Sequence, residues 1–162
     1  MIEWESRFSR LMEEIQHYNC DILCLQEVQC DHFDTHFKPN LGNLGYDGVY
    51  KKRTGDKRDG CAIFFKTAKL DLVEQTSVEY YQPKGGKSLD RDNIGLLTKF
   101  ADKDRKSEKY LCVATTHLLY NPRRIDIRLA QTALMIAGTY VFSKVNKESE
   151  LIRHPFFFHN RL

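Results

Sequence analysis

Asn19-Cys20-Asp21-Ile22-Leu23-Cys24-Leu25-Gln26-Glu27 holds four residues, 22–25, in an unbroken apolar run between polar breakers. Such a run predicts a short strand buried on both faces. Upstream, Trp4, Phe8, Leu11, Met12, Ile15 and Tyr18 recur at steps of three and four, with Glu3, Glu5, Glu13 and Glu14 on the other side. That spacing predicts an amphipathic helix. Downstream, a weaker helical pattern covers residues 31–41 and ends near Gly42 and Gly45. After Tyr46 the pattern turns to strands, at 48–51, 61–66, 70–80, 94–100 and 110–116, separated by charged, turn-rich loops at 54–60 and 83–92. A long helix follows, with Asn121 as its N-cap and Pro122 at its first position. Its expected core stripe is Leu129, Ala130, Ala133, Leu134, Ile136, Ala137, Tyr140 and Val141. Helix and strand alternate early and strands dominate later, so the fold class is α/β. Residues 146–162 show no clear plan, although the triple phenylalanine at 156–158 has strand character.

The composition agrees with one globular domain: 162 residues, 41% hydrophobic and 29% charged, with 9 Gly and 4 Pro. It excludes disordered and collagen-like classes. The stretch 129–142 is broken by Gln131, Thr132 and Thr139 and is too short to span a bilayer, so no membrane partner is expected. The first five residues carry two glutamates, and no secretory leader is expected. Five cysteines at irregular spacing read as reduced thiols. Cys20 and Cys24 with His32 and His36 do not make a zinc finger: the interval is short, and positions four apart on a strand lie roughly 13 Å apart. The formal net charge is only +3, but cations crowd two loops, Lys51, Lys52, Arg53, Lys57 and Arg58 in one and Arg123, Arg124 and Arg128 in the other. That is a mild pointer to a phosphate-bearing ligand.

Candidate chemistry gathers where two strands end. The first runs into Gln26-Glu27 and the last into His117. Ligands collect at the carboxyl ends of strands, so an acid and an imidazole are expected to meet there. Four residues past His117 comes Asn121-Pro122-Arg123-Arg124, where a helix N-terminus and guanidinium groups would favour phosphate. A nearby carboxylate suits Mg²⁺, which needs few protein ligands and bridges to phosphate oxygens. Gly85-Gly86-Lys87-Ser88 ends like a phosphate-binding loop, but Tyr81 stands where the first glycine belongs, and a surface loop is the better reading.

Four segments stand in order along the chain: Cys20-Asp21-Ile22-Leu23-Cys24-Leu25-Gln26-Glu27-Val28-Gln29; Asp59-Gly60-Cys61-Ala62-Ile63-Phe64-Phe65-Lys66; Leu89-Asp90-Arg91-Asp92-Asn93-Ile94-Gly95; and Thr116-His117-Leu118-Leu119-Tyr120-Asn121-Pro122-Arg123-Arg124. Together they resemble the endonuclease/exonuclease/phosphatase superfamily, and within it the angel proteins, relatives of the carbon-catabolite-repression deadenylases and nocturnin. The resemblance covers residues 4–142. It implies a partial four-layer αββα sandwich, the N-terminal half of the family's domain at residues 1–145, followed by a divergent tail at 146–162.

It further implies an Mg²⁺-dependent phosphoesterase acting on RNA, as a 3′-end exoribonuclease or deadenylase or as a 2′,3′-cyclic phosphatase. Glu27 would be catalytic and bind Mg²⁺, with Gln26 its motif neighbour, and His117 would be catalytic beside the scissile phosphate. Pro122 would lie against a substrate base, Asp92 and Asn93 would border the site, and Asn121, Arg123 and Arg124 would face the substrate. The implied partners are a single-stranded RNA 3′ end and deadenylase or translation-complex proteins, and the implied location is cytoplasmic or nuclear. The family's upstream asparagine and its later Gly-Asp-Phe-Asn and Ser-Asp-His motifs have no match here. The expectation is therefore a truncated domain, inactive or weakly active alone. The alternative is a non-catalytic module that binds RNA or a complex. With much of the second sheet expected to be missing, apolar side chains at 61–65, 94–97 and 111–114 should be exposed and drive self-association.

Overall fold

The computed structural model describes residues 3–104 and 109–144. The expected tail at 146–162, with its phenylalanines, lies outside the described residues. Helix α1 (Trp4–Tyr18) forms as its periodicity requires, buries Phe8 and Met12, and stops where Asn19 turns left-handed. There follow β1 (Ile22–Gln29), α2 (Cys30–His32), a π-helical turn (Phe33–Phe37), α3 (Lys38–Gly42), β2 (Tyr46–Lys52), β3 (Asp59–Lys66), β4 (Leu70–Glu79), a 3₁₀ turn (Gly86–Ser88), β5 (Ile94–Asp102), β6 (Tyr110–Thr116) and α4 (Ile125–Lys144). The helix expected at 31–41 is present but widened in its middle, where Lys38 N–H bonds Phe33 O. Pro39 has no N–H with which to continue a regular ladder, and the wide turn sends both Phe33 and Phe37 into the core.

Two three-stranded sheets, ordered β1-β3-β2 and β4-β5-β6, are antiparallel throughout. The alternation of β3 explains how they stack. Cys61, Ile63 and Phe65 face the second sheet and meet Ile94, Leu96 and Phe100 of β5. Ala62 and Phe64 face the other way, onto Phe8, Met12, Phe33, Phe37 and Leu41 of the helical layer. The far side of β5 places Leu97 against Met135 and Phe142 of α4. The layers run helices, sheet, sheet, helix: the αββα arrangement expected from the resemblance. Glycines let α4 seat closely, since a Cβ on Gly95 would lie 2.3 Å from Met135 Sδ and one on Gly138 2.7 Å from Val78 Cγ2.

Three expectations are corrected. First, β1 is not buried on both faces: Ile22, Leu23 and Leu25 are half-buried and Cys24 is exposed. Among the described residues only β3 pairs with it, and its other edge opens on a groove of about 490 Å³ lined by residues including Leu11, Ile15, Leu23 and Leu25. Second, α4 begins at Ile125 and buries Ile127, Gln131, Met135, Gly138 and Phe142, while Leu129, Ile136 and Tyr140 are 70%, 64% and 65% exposed. Both faces of this helix are apolar, so periodicity could not choose between them. The small Gly138 and the polar anchor Gln131 select the buried face. Third, the inner strand faces at 61–65 and 94–97 are covered, because β4, β5 and β6 already supply a second sheet. Of the stretch 111–114, Leu111 and Ala114 on the edge strand β6 are exposed, as expected.

Candidate active site

The first strand does not end at Leu25. It continues through an irregularity in which Leu25 pairs with Ala62 and Val28 with Gly60, so β1 carries one residue more than β3 across this step. Such a bulge leaves the extra residue unpaired and re-aims its side chain. Here Glu27 takes a left-handed conformation, φ 56°, and its side chain stays 74% exposed. Only a sheet that over-determines the backbone holds a non-glycine residue there.

β6 delivers His117 one residue past its end. His117 Nε2 lies 3.8 Å from Glu27 Oε1, so the acid and the imidazole meet as expected. The other ring nitrogen, Nδ1, is buried and has no hydrogen-bond partner among the described residues. Burial first and the charge of Asp59 second push the Cys61 thiol up to about 11, against a smaller lowering by the nearby His117 backbone. Cys61 therefore stays a neutral, packed thiol.

The remaining candidates serve the scaffold as much as the mouth of the site. Gln26 donates from Nε2 to Thr115 Oγ1 at 2.8 Å and to Cys24 O at 3.2 Å, tying β1 to β6 beside Glu27. Asn93 is buried and donates to His117 O at 2.9 Å. Asp92 accepts from Thr54 Oγ1 at 2.7 Å, and its carbonyl accepts from Arg53 Nε at 3.3 Å, which fastens the basic β2–β3 loop. In that loop Arg53 also pairs with Asp59, while Lys57 and Arg58 are exposed.

Asn121 is not the N-cap of α4, and Pro122 is not its first residue. Asn121 Oδ1 accepts from Arg123 N–H at 3.0 Å and its carbonyl from Arg124 N–H at 3.1 Å, closing a separate turn before the helix. Arg124 O accepts from Arg128 N–H at 3.3 Å, so Arg124 is the residue at the N-cap. The Arg124 guanidinium bonds both Asp126 carboxylate oxygens, at 3.0 and 2.8 Å, and Lys87 O. The hydrogen bond from Arg124 holds the Asp126 carboxyl down at about 2. A carboxylate thus already occupies the positive end of the helix, where Arg123 and Lys87 are exposed cations; Lys57 and Arg58 are exposed on the β2–β3 loop. Pro122 is exposed on the same turn.

Sequence reasoning missed Thr115, Thr54 and Gln131. Only Gln131 had left a signal, as a lone amide on the helical stripe Ile127–Gln131–Met135. As for a metal, Glu27 offers a hard, exposed oxygen ligand of the kind Mg²⁺ takes. Among the described residues no three His, Cys, Asp or Glu side chains converge on one ion position.

The fold is thus two packed antiparallel sheets between helices, with an acid and an imidazole at one rim. The chain belongs to the Endonuclease/Exonuclease/phosphatase family, whose model matches residues 3–139. It is similar to protein angel homolog 2 of Bos taurus (48% identical over 138 residues) and to protein angel of Drosophila melanogaster (39% over 147). Those matches cover 85% and 88% of this chain and 25% and 41% of the relatives, so the chain spans about a quarter to two-fifths of their length. Among solved structures it resembles ANGEL2, described as a 2′,3′-cyclic phosphatase, with TM-score 0.81, 46% identity, and coverage of 86% of this chain and 39% of that one. The human nocturnin catalytic domain matches with TM-score 0.75 and 29% identity, covering 86% and 52%.

Proposed function

We propose that this chain supplies part of the active site of an Mg²⁺-dependent RNA phosphoesterase, with a 2′,3′-cyclic phosphate end as the favoured substrate. The observation that carries this reading is the bulge that turns Glu27 outward to 3.8 Å from His117. The similarity to ANGEL2, also solved with adenosine-2′,3′-vanadate, supports the cyclic phosphate over poly(A) removal. Glu27 would hold the cation, which supplies charge neutralisation at the phosphate when bound. His117, through Nε2, would donate a hydrogen bond to a phosphate oxygen, and its backbone clamp would keep the ring in place. Pro122 would meet the terminal base, while Arg123 and the Lys57–Arg58 corner would hold the preceding phosphates. In the reaction, a water oxygen joins phosphorus, one ester P–O bond breaks, and the departing hydroxyl takes a proton. Glu27 and His117 are joined by no third His, Cys, Asp or Glu in a metal-holding group among the described residues, so turnover by this chain alone would be slow.

The test is calorimetry with Mg²⁺ and adenosine 2′,3′-cyclic monophosphate. The expected result is weak, Mg²⁺-dependent binding that falls about tenfold or more in Glu27→Gln and in His117→Ala. Binding that survives both changes, or that ignores Mg²⁺, would sink the reading.

A further inference from the structure

His117 is fixed through its backbone, and the fixing chain begins on α4. Gln131 is 1% exposed and Asn93 3% exposed. Gln131 Nε2 donates to Asn93 Oδ1 at 3.1 Å, and Asn93 Nδ2 donates to His117 O at 2.9 Å. Gln131 Oε1 meanwhile accepts from Leu119 N–H at 3.0 Å. One buried carboxamide thus grips the chain directly two residues past His117 and, through Asn93, at His117 itself. The preceding residue is held as well: Thr116 Oγ1 bonds Ile94 O at 2.9 Å and Tyr80 Oη at 2.8 Å. A buried amide is retained at low cost only when its donors and acceptors are satisfied, and an apolar residue would pack this helix face equally well. Ile127 and Met135, one turn either side of Gln131, do so.

We propose that Gln131 is a positioning residue: it sets the His117 imidazole against Glu27 by clamping the 117–119 backbone from α4. The inference rests on the reading of His117 as the phosphate-facing group. In this arrangement a shift of α4 is passed through the buried Gln131 and Asn93 to the 117–119 backbone, and the imidazole is carried with the backbone that bears it.

The experiment is NMR on the intact chain at fixed pH, following the His117 ring signal and hydrogen exchange at the Leu119 amide. Gln131→Met keeps the volume and removes both hydrogen bonds; Asn93→Leu cuts the same chain at its next link. The expected result is a displaced His117 ring signal in both variants and Leu119 exchange about tenfold faster in Gln131→Met. The double variant should displace the ring signal by less than the sum of the two single displacements, because both variants break the shared Gln131–Asn93 link. Met135→Ala, which opens a cavity on the same helix face, should lower the melting temperature and leave the ring signal unmoved. The proposal is overturned if Gln131→Met lowers stability without moving the signal, or if Met135→Ala moves it equally. If Gln131→Met does not fold, Asn93→Leu alone decides by the same signal. A final titration of the wild-type chain with adenosine 2′,3′-cyclic monophosphate separates the two ideas. An unresponsive His117 signal there would count against the proposed function and leave the clamp standing.

Discussion

Glu27 is held where a side chain is disfavoured, and its φ of 56° sets up a stability–function conflict at one residue. Glycine reaches this conformation without steric cost, whereas alanine keeps the strain of glutamate and loses only its exposed carboxylate. Glu27→Gly should therefore be more stable than Glu27→Ala by about 1 kcal/mol, and both should lose Mg²⁺ binding. Urea unfolding of the two variants checks this, and equal midpoints would mean that the strain is absent. The bulge was partly legible in the sequence. Leu23 and Leu25 keep a two-residue alternation that Val28 rejoins one residue late, yet all three pack in the same core cluster. That phase slip locates an extra residue at Gln26-Glu27. What it could not give is the left-handed turn at Glu27 or the distance to His117, since both depend on a strand nearly ninety residues away.

At the scale of elements, α4 shows how a sequence with two apolar faces withholds its orientation. The buried face is chosen by contacts that cross the fold: Gln131 with Asn93, Gly138 with Val78, Met135 with Gly95. Ile127, fully buried, should cost about 2–5 kcal/mol when cut to alanine. Leu129→Lys, on the exposed face, should change stability by no more than about 0.5 kcal/mol. Chemical denaturation of the pair is decisive, because the periodicity stripe ranks them the other way. The start of the helix was misread for a related reason. Asn121 has the chemistry of a cap, but a side chain that bonds two residues on can close a turn as readily as start a helix. Asp126 adds a pH signature there. Its carboxyl is held near 2 by Arg124, below the usual carboxylate range. A depressed acid contributes stability above its unfolded value near 4 and loses it as pH falls from there towards 2. Acid unfolding should accordingly flatten over that window in Asp126→Asn, and an unchanged profile would show that the pair contributes nothing.

For the whole molecule, the αββα layering was expected from the resemblance and the meeting of Glu27 with His117 from the ends of two strands, whereas the strand order was not read from the sequence. Nor was the sealing of the inner faces, because burial is a property of the assembled sheets rather than of any one strand. Charge is likewise a matter of placement. With 25 basic and 22 acidic residues the net charge is only +3, so long-range attraction to a polyanion is small. Several cations are also engaged: Lys51 with Glu79, Arg53 with Asp59, Lys69 with Asp21, Arg124 with Asp126. Of the exposed cations, the proposed function assigns Arg123, Lys57 and Arg58 to the single strand, about three phosphates in all. Three contacts at about 0.7 each predict a slope near −2 for log affinity against log salt, hence a loss of roughly fifteenfold between 50 and 200 mM. Filter binding of a short oligoadenylate at several salt concentrations measures this slope. Arg123→Ala together with Arg58→Ala should reduce its magnitude to about 0.7, the value for one remaining contact. A slope that stays near −2 in the double variant would place the RNA on another face of the molecule.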